Sequence, residues 1–202
     1  MLLNIQRDRF LDDFYELKTK NEEIENKISE LEQKIDAYTN KLDIQVYQRI
    51  INTRFNVSKI SSLSVKYMSS GQFLMNTIDE MSDFSPVIIQ YGRTIENELK
   101  EIFLSIDASK KWMLGLMQGS LEKFKYGSTE LQHCNTSHFS QLVVELENQF
   151  NSPMNLKIDL IDYLRNVRNS AGHSGTTKTK QEAINYIEKV NDFLDKWILE
   201  KK

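Results

Sequence analysis

The first 70 residues contain neither glycine nor proline, so nothing in that stretch interrupts a long helix. Apolar side chains recur there with the a/d spacing of a heptad repeat. The a positions are Phe14, Asn21, Ile28, Ile35 and Leu42, and the d positions are Phe10, Leu17, Ile24, Leu31 and Tyr38. Because a helix packed on a globular core drifts away from a strict period of 3.5 residues, the pattern predicts a coiled-coil helix over residues 1–50.

The charges beside this apolar seam favour two parallel chains. Three of the g-to-e pairs that a parallel dimer would form are attractive, and they are Asp13–Lys18, Lys20–Glu25 and Lys27–Glu32. Asn21 is a polar a-position residue of the kind that sets the register of two-stranded parallel coils. A parallel homodimer is therefore the favoured interpretation. An antiparallel intramolecular hairpin, or a helix packed on its own domain, is the alternative.

The remaining chain is predicted to be helical as well. Residues 51–71 are rich in serine and asparagine, and we interpret them as a connector. Residues 72–202 show helical periodicity with short breaks, and Ser85 is predicted to cap a helix that starts at Pro86. No segment alternates as a half-buried strand does. The expected fold is all-α, with a long N-terminal coiled-coil helix followed by an up-and-down helical bundle.

Composition and targeting signals limit the class of protein. No apolar run approaches the roughly 20 residues that a membrane span needs, and the N-terminus reaches charged residues too early for a signal peptide. Cys134 is the single cysteine, so no internal disulfide is expected. The net charge of −3 is unlike that of a protein that coats nucleic acid. We expect a cytoplasmic protein without a membrane partner.

The stretch LRNVRNSAGHSG, residues 164–175, lies where a predicted helix ends in the one locally basic part of the chain. Arg168 lies at the margin of that helix's core stripe. His173 is five residues further, about 140° around an ideal helix, so the two side chains would diverge if the helix continued. Gly172 is predicted to take a left-handed conformation that ends the helix and returns His173 toward Arg168 or Asn169.

Residues 168–173, RNSAGH, resemble the R-X4–6-H motif of HEPN (higher eukaryotes and prokaryotes nucleotide-binding) domains. The context is similar too: an apolar helix precedes the motif, and a glycine-containing turn and another helix with Glu182-Ala183 near its start follow it. Upstream, the sequence YGRTIENEL of residues 91–99 resembles the first long helix of defence-associated bacterial members. The resemblance covers roughly residues 86–200, within the bundle predicted for 72–202.

This resemblance implies a metal-independent endoribonuclease without a cofactor, acting as a toxin or antiphage effector. RNA supplies its own nucleophile, the 2′-OH. A histidine can transfer the proton, and an arginine can bind the phosphate and stabilise the transition state. His173 and Arg168 would be catalytic and Asn169 supporting. The family's active site usually combines two protomers, which a parallel coil would bring together through the HEPN interface.

A second interpretation is a non-catalytic HEPN module that dimerises and binds a partner protein, a nucleotide or RNA. The near-neutral charge of residues 86–202 favours it, because broad RNA affinity normally needs a basic surface. His173 would then complement the helix dipole or cap its carbonyls. An inhibitor or sensor protein is a further expected partner in either case.

Other polar residues are weaker candidates. Arg165 has a charge partner at Asp162 and is interpreted as a surface or interface arginine in a supporting role. Arg93, Glu96 and Asn97 share one face of the first long helix, and their spacing favours pairing with one another. The alternative is that they support the site, and Glu96 is retained as a supporting residue for that reason.

A metal site is not expected. His133, Cys134 and His138 lie within six residues, but no fourth ligand is nearby and the spacing fits no familiar zinc pattern.

Overall fold

The computed structural model describes residues 17–31, 44–79, 82–128, 138–173 and 175–202. Within these ranges the chain is helical without a β-strand, and a single isolated antiparallel bridge joins Phe150 to Lys201. The all-α prediction is confirmed. None of the described helices is long and apolar enough to cross a membrane. The chain divides into two compact units, Met1–Asp43 and Ile44–Lys202.

The described part of the first unit is a helix over residues 17–31, here called the N-terminal helix. Its apolar heptad residues are exposed, with relative accessibilities of 66% for Leu17, 53% for Ile24, 50% for Ile28 and 57% for Leu31. The remaining apolar positions of the predicted seam lie outside the described residues, and they are Phe10, Phe14, Ile35, Tyr38 and Leu42.

The second unit contains the bundle. Its helices are α1 over residues 44–54, α2 Ser62–Thr77, α3 Ser85–Ile106, α4 Leu114–Tyr126, α5 Phe139–Gln149, α6 Asp159–Gly172 and α7 Lys180–Glu200. Helices α2, α4, α5, α6 and α7 all pack against α3. An apolar stripe along α3 explains this central place, because Ile88, Ile95, Leu99 and Ile102 are fully buried.

The start of α3 differs from the prediction in one detail. Pro86 lies in the first turn as expected, but Ser85 is already helical and does not cap the helix. The Asp83 carboxylate accepts the Ser85 N–H at 2.9 Å and the Ser85 hydroxyl at 2.7 Å. Asp83 therefore supplies the acceptor that the free N–H groups of a helix start require.

The predicted connector over 51–71 is part of the bundle. Val65 and Met68 of α2 are buried, and the helix continues through Gly71, which packs against the Tyr91 ring of α3. The serine-rich sequence is compatible with a buried helix because its hydroxyls find acceptors. The Ser69 hydroxyl, for example, donates to the Val65 carbonyl at 2.8 Å. The boundary between the units falls between residues 43 and 44 instead.

A fully buried carboxylate on α3 connects the ends of two other elements. Glu98 accepts the Ser61 N–H at 2.9 Å and the Trp197 indole N–H at 3.2 Å, and the Lys201 ammonium lies 3.8 Å away. These partners compensate the cost of burying the charge. Glu98 thus has a structural explanation and is not a candidate for the functional site.

Candidate functional site

Helix α6 carries the RNSAGH motif at its C-terminal end and stops without a left-handed glycine. The predicted conformation of Gly172 is wrong: this residue is the last of α6, and the positive φ of 90° belongs to Gly175. His173 leaves the helix in an extended conformation, with φ −88° and ψ 136°. The Thr176 hydroxyl lies within hydrogen-bond distance of the Ser170 and His173 carbonyls, and the His173 N–H donates to the Ser170 carbonyl at 3.3 Å, so this carbonyl of the helix end is satisfied without a glycine cap.

The loop that follows His173 is anchored to the start of α3. The Lys178 N–H donates to the Asp83 carboxylate at 2.8 Å, and the Phe84 N–H donates to the Lys178 carbonyl at 2.8 Å. Asp83 therefore serves two elements, since the same Oδ1 atom also accepts from Ser85. Together with the Thr176 hydroxyl, these bonds fix the backbone on both sides of His173.

Arg168 is held by a carboxylate from α3. Its Nη2 lies 3.1 Å from Glu96 Oε2, and its Nη1 donates to Asn169 Oδ1 at 3.3 Å. The other Glu96 oxygen binds the Lys100 ammonium at 2.7 Å. Because the Arg168 side chain keeps 32% of its accessibility, it remains available to an anion from solvent. Glu96 thus orients the guanidinium and shares its charge between two cations.

Gly92 lets the root of the Arg168 side chain lie directly against α3. A Cβ atom at residue 92 would lie 2.6 Å from Arg168 Cγ and 2.9 Å from the Tyr186 phenol oxygen. Both distances are far below van der Waals contact. The Tyr186 hydroxyl donates to the Leu164 carbonyl at 3.1 Å, and burial raises the pKa of this phenol well above its ordinary value, so it stays protonated. A side chain at residue 92 would therefore overlap both Arg168 and Tyr186.

Arg168, Asn169, Gly172 and His173 line one small pocket together with Ile89, with a volume of about 440 Å³. Arg168 and His173 therefore open onto the same space, although Gly172 does not bend the chain between them. His173 is exposed, and none of the described side chains hydrogen-bonds its imidazole. Its ring nitrogens are available to a ligand or to a second chain.

Arg165, the next supporting candidate, lies outside the small pocket. Arg165 pairs with Asp162 at 3.0 Å as the sequence predicts, and it lines a larger cleft that also includes Arg168 and Asn169. It does not line the small pocket with His173.

The predicted pairing of Arg93, Glu96 and Asn97 with one another is wrong. The Arg93 guanidinium lies over the Tyr67 ring at 5.8 Å, and the Asn97 amide donates to the Ser64 hydroxyl at 3.1 Å. Both residues face α2, whereas Glu96 faces α6. Only Glu96 supports the candidate site, because the spacing of residues on one helix does not reveal which neighbouring helix each of them contacts.

No group of three or more metal-ligating side chains occurs in the part of the chain that the structure describes. His133 and Cys134 lie outside that part. His138 Nε2 lies 3.4 Å from Asp107 Oδ2, and its ring contacts the edge of Trp112. His138 thus contacts a carboxylate and an aromatic ring of the α3–α4 loop.

Sequence reasoning missed Gly92, Tyr186 and Thr176. A signal existed only for Gly92, since a glycine inside a strongly amphipathic helix costs stability and so suggests a close packing contact. The roles of Tyr186 and Thr176 depend on bonds to backbone carbonyls, which have no side-chain pattern.

No protein-family model, curated protein or solved structure matches this chain. The chemistry of the site is therefore inferred from its own residues. A guanidinium oriented by a carboxylate can bind a phosphate through several N–H donors. An exposed imidazole opening onto the same pocket can transfer a proton. The pair suits a substrate that contains both a phosphate and its own nucleophile.

Proposed function

We propose that the chain is a HEPN-type endoribonuclease that cleaves RNA without a metal ion, as a homodimeric toxin or antiphage effector. The observation that carries the proposal is that Arg168 and His173 line one open pocket at the end of α6. Arg168 is oriented by Glu96 at 3.1 Å, and Asn169 contacts it at 3.3 Å. A phosphate-binding cation and a proton-transfer group are the two functions that cleavage by a neighbouring hydroxyl requires.

In the proposed reaction the 2′-oxygen bonds to phosphorus while the bond from phosphorus to the 5′-oxygen breaks. His173 transfers a proton at one of these two oxygens, and Arg168 stabilises the extra negative charge on the phosphoryl oxygens. The products are a 2′,3′-cyclic phosphate and a free 5′-hydroxyl. A second copy of the chain would supply the second proton-transfer group, which suits a composite site between two protomers.

The exposed apolar seam of the N-terminal helix supports the homodimer. Ile24 and Ile28 are half exposed, and a parallel partner helix would bury them with attractive flanking charges.

We expect Ile24→Asp combined with Ile28→Asp to convert a dimer into a monomer, because each change places a carboxylate in the seam. Light scattering after size exclusion measures the mass. Asn26→Asp with Ser29→Asp adds the same charge on the outer face and should leave the dimer intact; a monomeric wild type at micromolar concentration would refute the arrangement.

A non-catalytic HEPN module that binds a partner protein, a nucleotide or RNA is the second candidate. The Arg168–Glu96 pair favours it, because a phosphate must compete with an existing carboxylate for the guanidinium. The net charge of −3 also gives no general attraction for RNA. In this case Arg168 would contribute to ligand binding, and His173 would complement the dipole of α6 or cap its carbonyls.

The deciding experiment is RNA cleavage by the full chain in EDTA. We expect cleavage products that end in a 2′,3′-cyclic phosphate, and no cleavage of the same oligonucleotide with 2′-O-methyl groups throughout, since methylation blocks the nucleophile. Cleavage should follow the protein peak in size exclusion and be missing from a mock purification. Absence of cleavage across a broad set of RNAs, or cleavage that EDTA abolishes, would reject the enzyme and favour the binding module.

A further inference from the structure

A larger cleft lies beside the small pocket, between the end of α3, the α3–α4 loop and α6. Its volume is about 980 Å³, at the upper end of the range for small-molecule sites. The proposed cleavage chemistry makes no use of most of its lining. Arg168 and Asn169 line both the cleft and the small pocket that contains His173. These two residues therefore form the ridge that separates the two spaces.

The charge of the cleft is positive although the chain is acidic overall. Lys100, Lys110, Lys111, Arg165 and Arg168 line it, against the single lining carboxylate of Glu96. Lys100 and Arg168 already bind the Glu96 carboxylate, at 2.7 and 3.1 Å. Its negative charge is therefore largely compensated, and the remaining cations give the cleft an excess positive charge.

Two of the remaining cations are available to a ligand at the α3–α4 loop. Lys111 is exposed and forms no ion pair with a described carboxylate, and the Lys110 ammonium lies 4.6 Å above the Trp112 ring. Arg165 also lines the cleft, while its Nη2 donates to Asp162 at 3.0 Å.

The cleft also has an apolar wall. Leu104 is 44% exposed and Met113 is 55% exposed, and both line the cleft beside the lysines. Exposed apolar side chains next to lysines without a described carboxylate partner fit a ligand that combines an anion with a flat apolar group. A nucleotide has this composition, with a phosphate and a base whose faces pack on apolar or aromatic side chains.

We propose that the cleft binds a nucleoside phosphate, with its phosphate at Lys110 and Lys111 and its base against Leu104 and Met113. Given the proposed function, this unit is the nucleotide adjacent to the phosphate that Arg168 binds, because the ridge of Arg168 and Asn169 borders both spaces. A free mononucleotide has the same chemistry and is the other source of such a ligand. The α3–α4 loop, outside the RNSAGH motif, then contributes to substrate affinity.

Binding to two probes distinguishes the sources. The first is a fluorescein-labelled RNA octamer that is 2′-O-methylated throughout and so is not cleaved, and the second is adenosine 5′-monophosphate as a competitor. We expect Lys110→Gln with Lys111→Gln to weaken octamer binding at least about tenfold. The slope of log affinity against log salt should fall by about 0.7, because one phosphate of a single strand is no longer neutralised. Lys66→Gln with Lys189→Gln removes the same charge from exposed residues outside the cleft and should change neither.

Removing the apolar wall gives an independent readout. Leu104→Ala with Met113→Ala should weaken octamer binding several-fold without changing the salt slope, because no phosphate contact is lost. If adenosine monophosphate binds as tightly as the octamer, with the same dependence on the two lysines, the ligand is a free nucleotide. If the wild type binds neither probe, or if the cleft variants bind both probes like the wild type, the assignment is wrong.

Failure of this assignment is distinguishable from failure of the proposed function. RNA cleavage with an unchanged KM in the double lysine variant would overturn the cleft and leave the ribonuclease intact. Lysine-dependent binding of either probe without any cleavage would support the cleft and reject the ribonuclease. If the chain is a ribonuclease and the cleft binds its substrate, KM should rise in the double lysine variant. The kcat should stay near the wild-type value, since neither lysine takes part in the chemical step.

Discussion

Arg168→Ala and His173→Ala should each reduce metal-independent RNA cleavage by at least about 100-fold. Loss of a proton-transfer group costs roughly 10²- to 10⁴-fold, and loss of one charge-stabilising donor about 10²- to 10³-fold. Single-turnover cleavage of a labelled RNA in EDTA measures both. The kcat should fall for His173→Ala, because an exposed imidazole without a bond to the described protein contributes little to folding or to ground-state binding.

Matched controls separate this effect from charge and from local unfolding. Arg54→Ala removes an exposed arginine whose only carboxylate contact among the described residues, Asp195, is 4.0 Å away. Thr177→Ala truncates an exposed residue of the loop that follows His173. Both controls should cleave like the wild type. Equal cleavage by all four variants would identify a contaminating nuclease, and loss in Arg168→Ala alone would assign phosphate binding without proton transfer by His173.

Gly92→Ala should lower kcat about 100-fold while the bundle remains folded. The new Cβ would lie 2.6 Å from Arg168 Cγ, near the backbone of α6, so the guanidinium cannot stay where Glu96 holds it. A displacement of about 1 Å at a catalytic group can cost this factor. The new methyl group would also overlap Tyr186, whose phenol oxygen lies 2.9 Å from the same Cβ. Single-turnover cleavage and urea unfolding together measure the result.

Gly71→Ala is the matched control for this substitution. Its Cβ would lie 2.7 Å from the Tyr91 ring, so it overpacks the contact between α2 and α3 without touching Arg168. Both alanine variants should lose about 1–3 kcal/mol of unfolding free energy. Only Gly92→Ala should lose cleavage. A folded Gly92→Ala protein with wild-type kcat would show that the position of Arg168 does not limit the reaction.

Much of the bundle could be predicted from local patterns. The apolar stripe of α3 identified its buried face, and the Arg165–Asp162 pair follows from a spacing of three on one helix. The serine-rich segment over 51–71 was the exception. Its hydroxyls bond to carbonyls within α2 and across to α3, as in Ser69 to Val65, and these bonds allow a polar sequence to form a buried helix. Hydropathy alone cannot detect such bonds.

The candidate site also has a part that the sequence predicted and a part that it did not. Its motif residues Arg168, Asn169 and His173 were recognisable because they are close in sequence. The ion pair of Arg168 with Glu96 joins residues 72 positions apart, and helical spacing instead suggested partners for Glu96 on its own helix. The cleft with Lys110 and Lys111 was not predicted at all, because two adjacent lysines in a loop resemble any solvated surface until α6 is known to pack beside them.

The sequence by itself therefore determined the helical class, the central stripe of α3 and the residues of the motif, because these depend on periodicity and on short-range spacing. Only the tertiary structure decided how α6 ends, which carboxylate orients Arg168 and why residue 92 is a glycine. Each of these depends on which atoms of α3, α6 and α7 come within a few ångströms of one another. That contact geometry results from packing the whole bundle and is not encoded in any one segment of it.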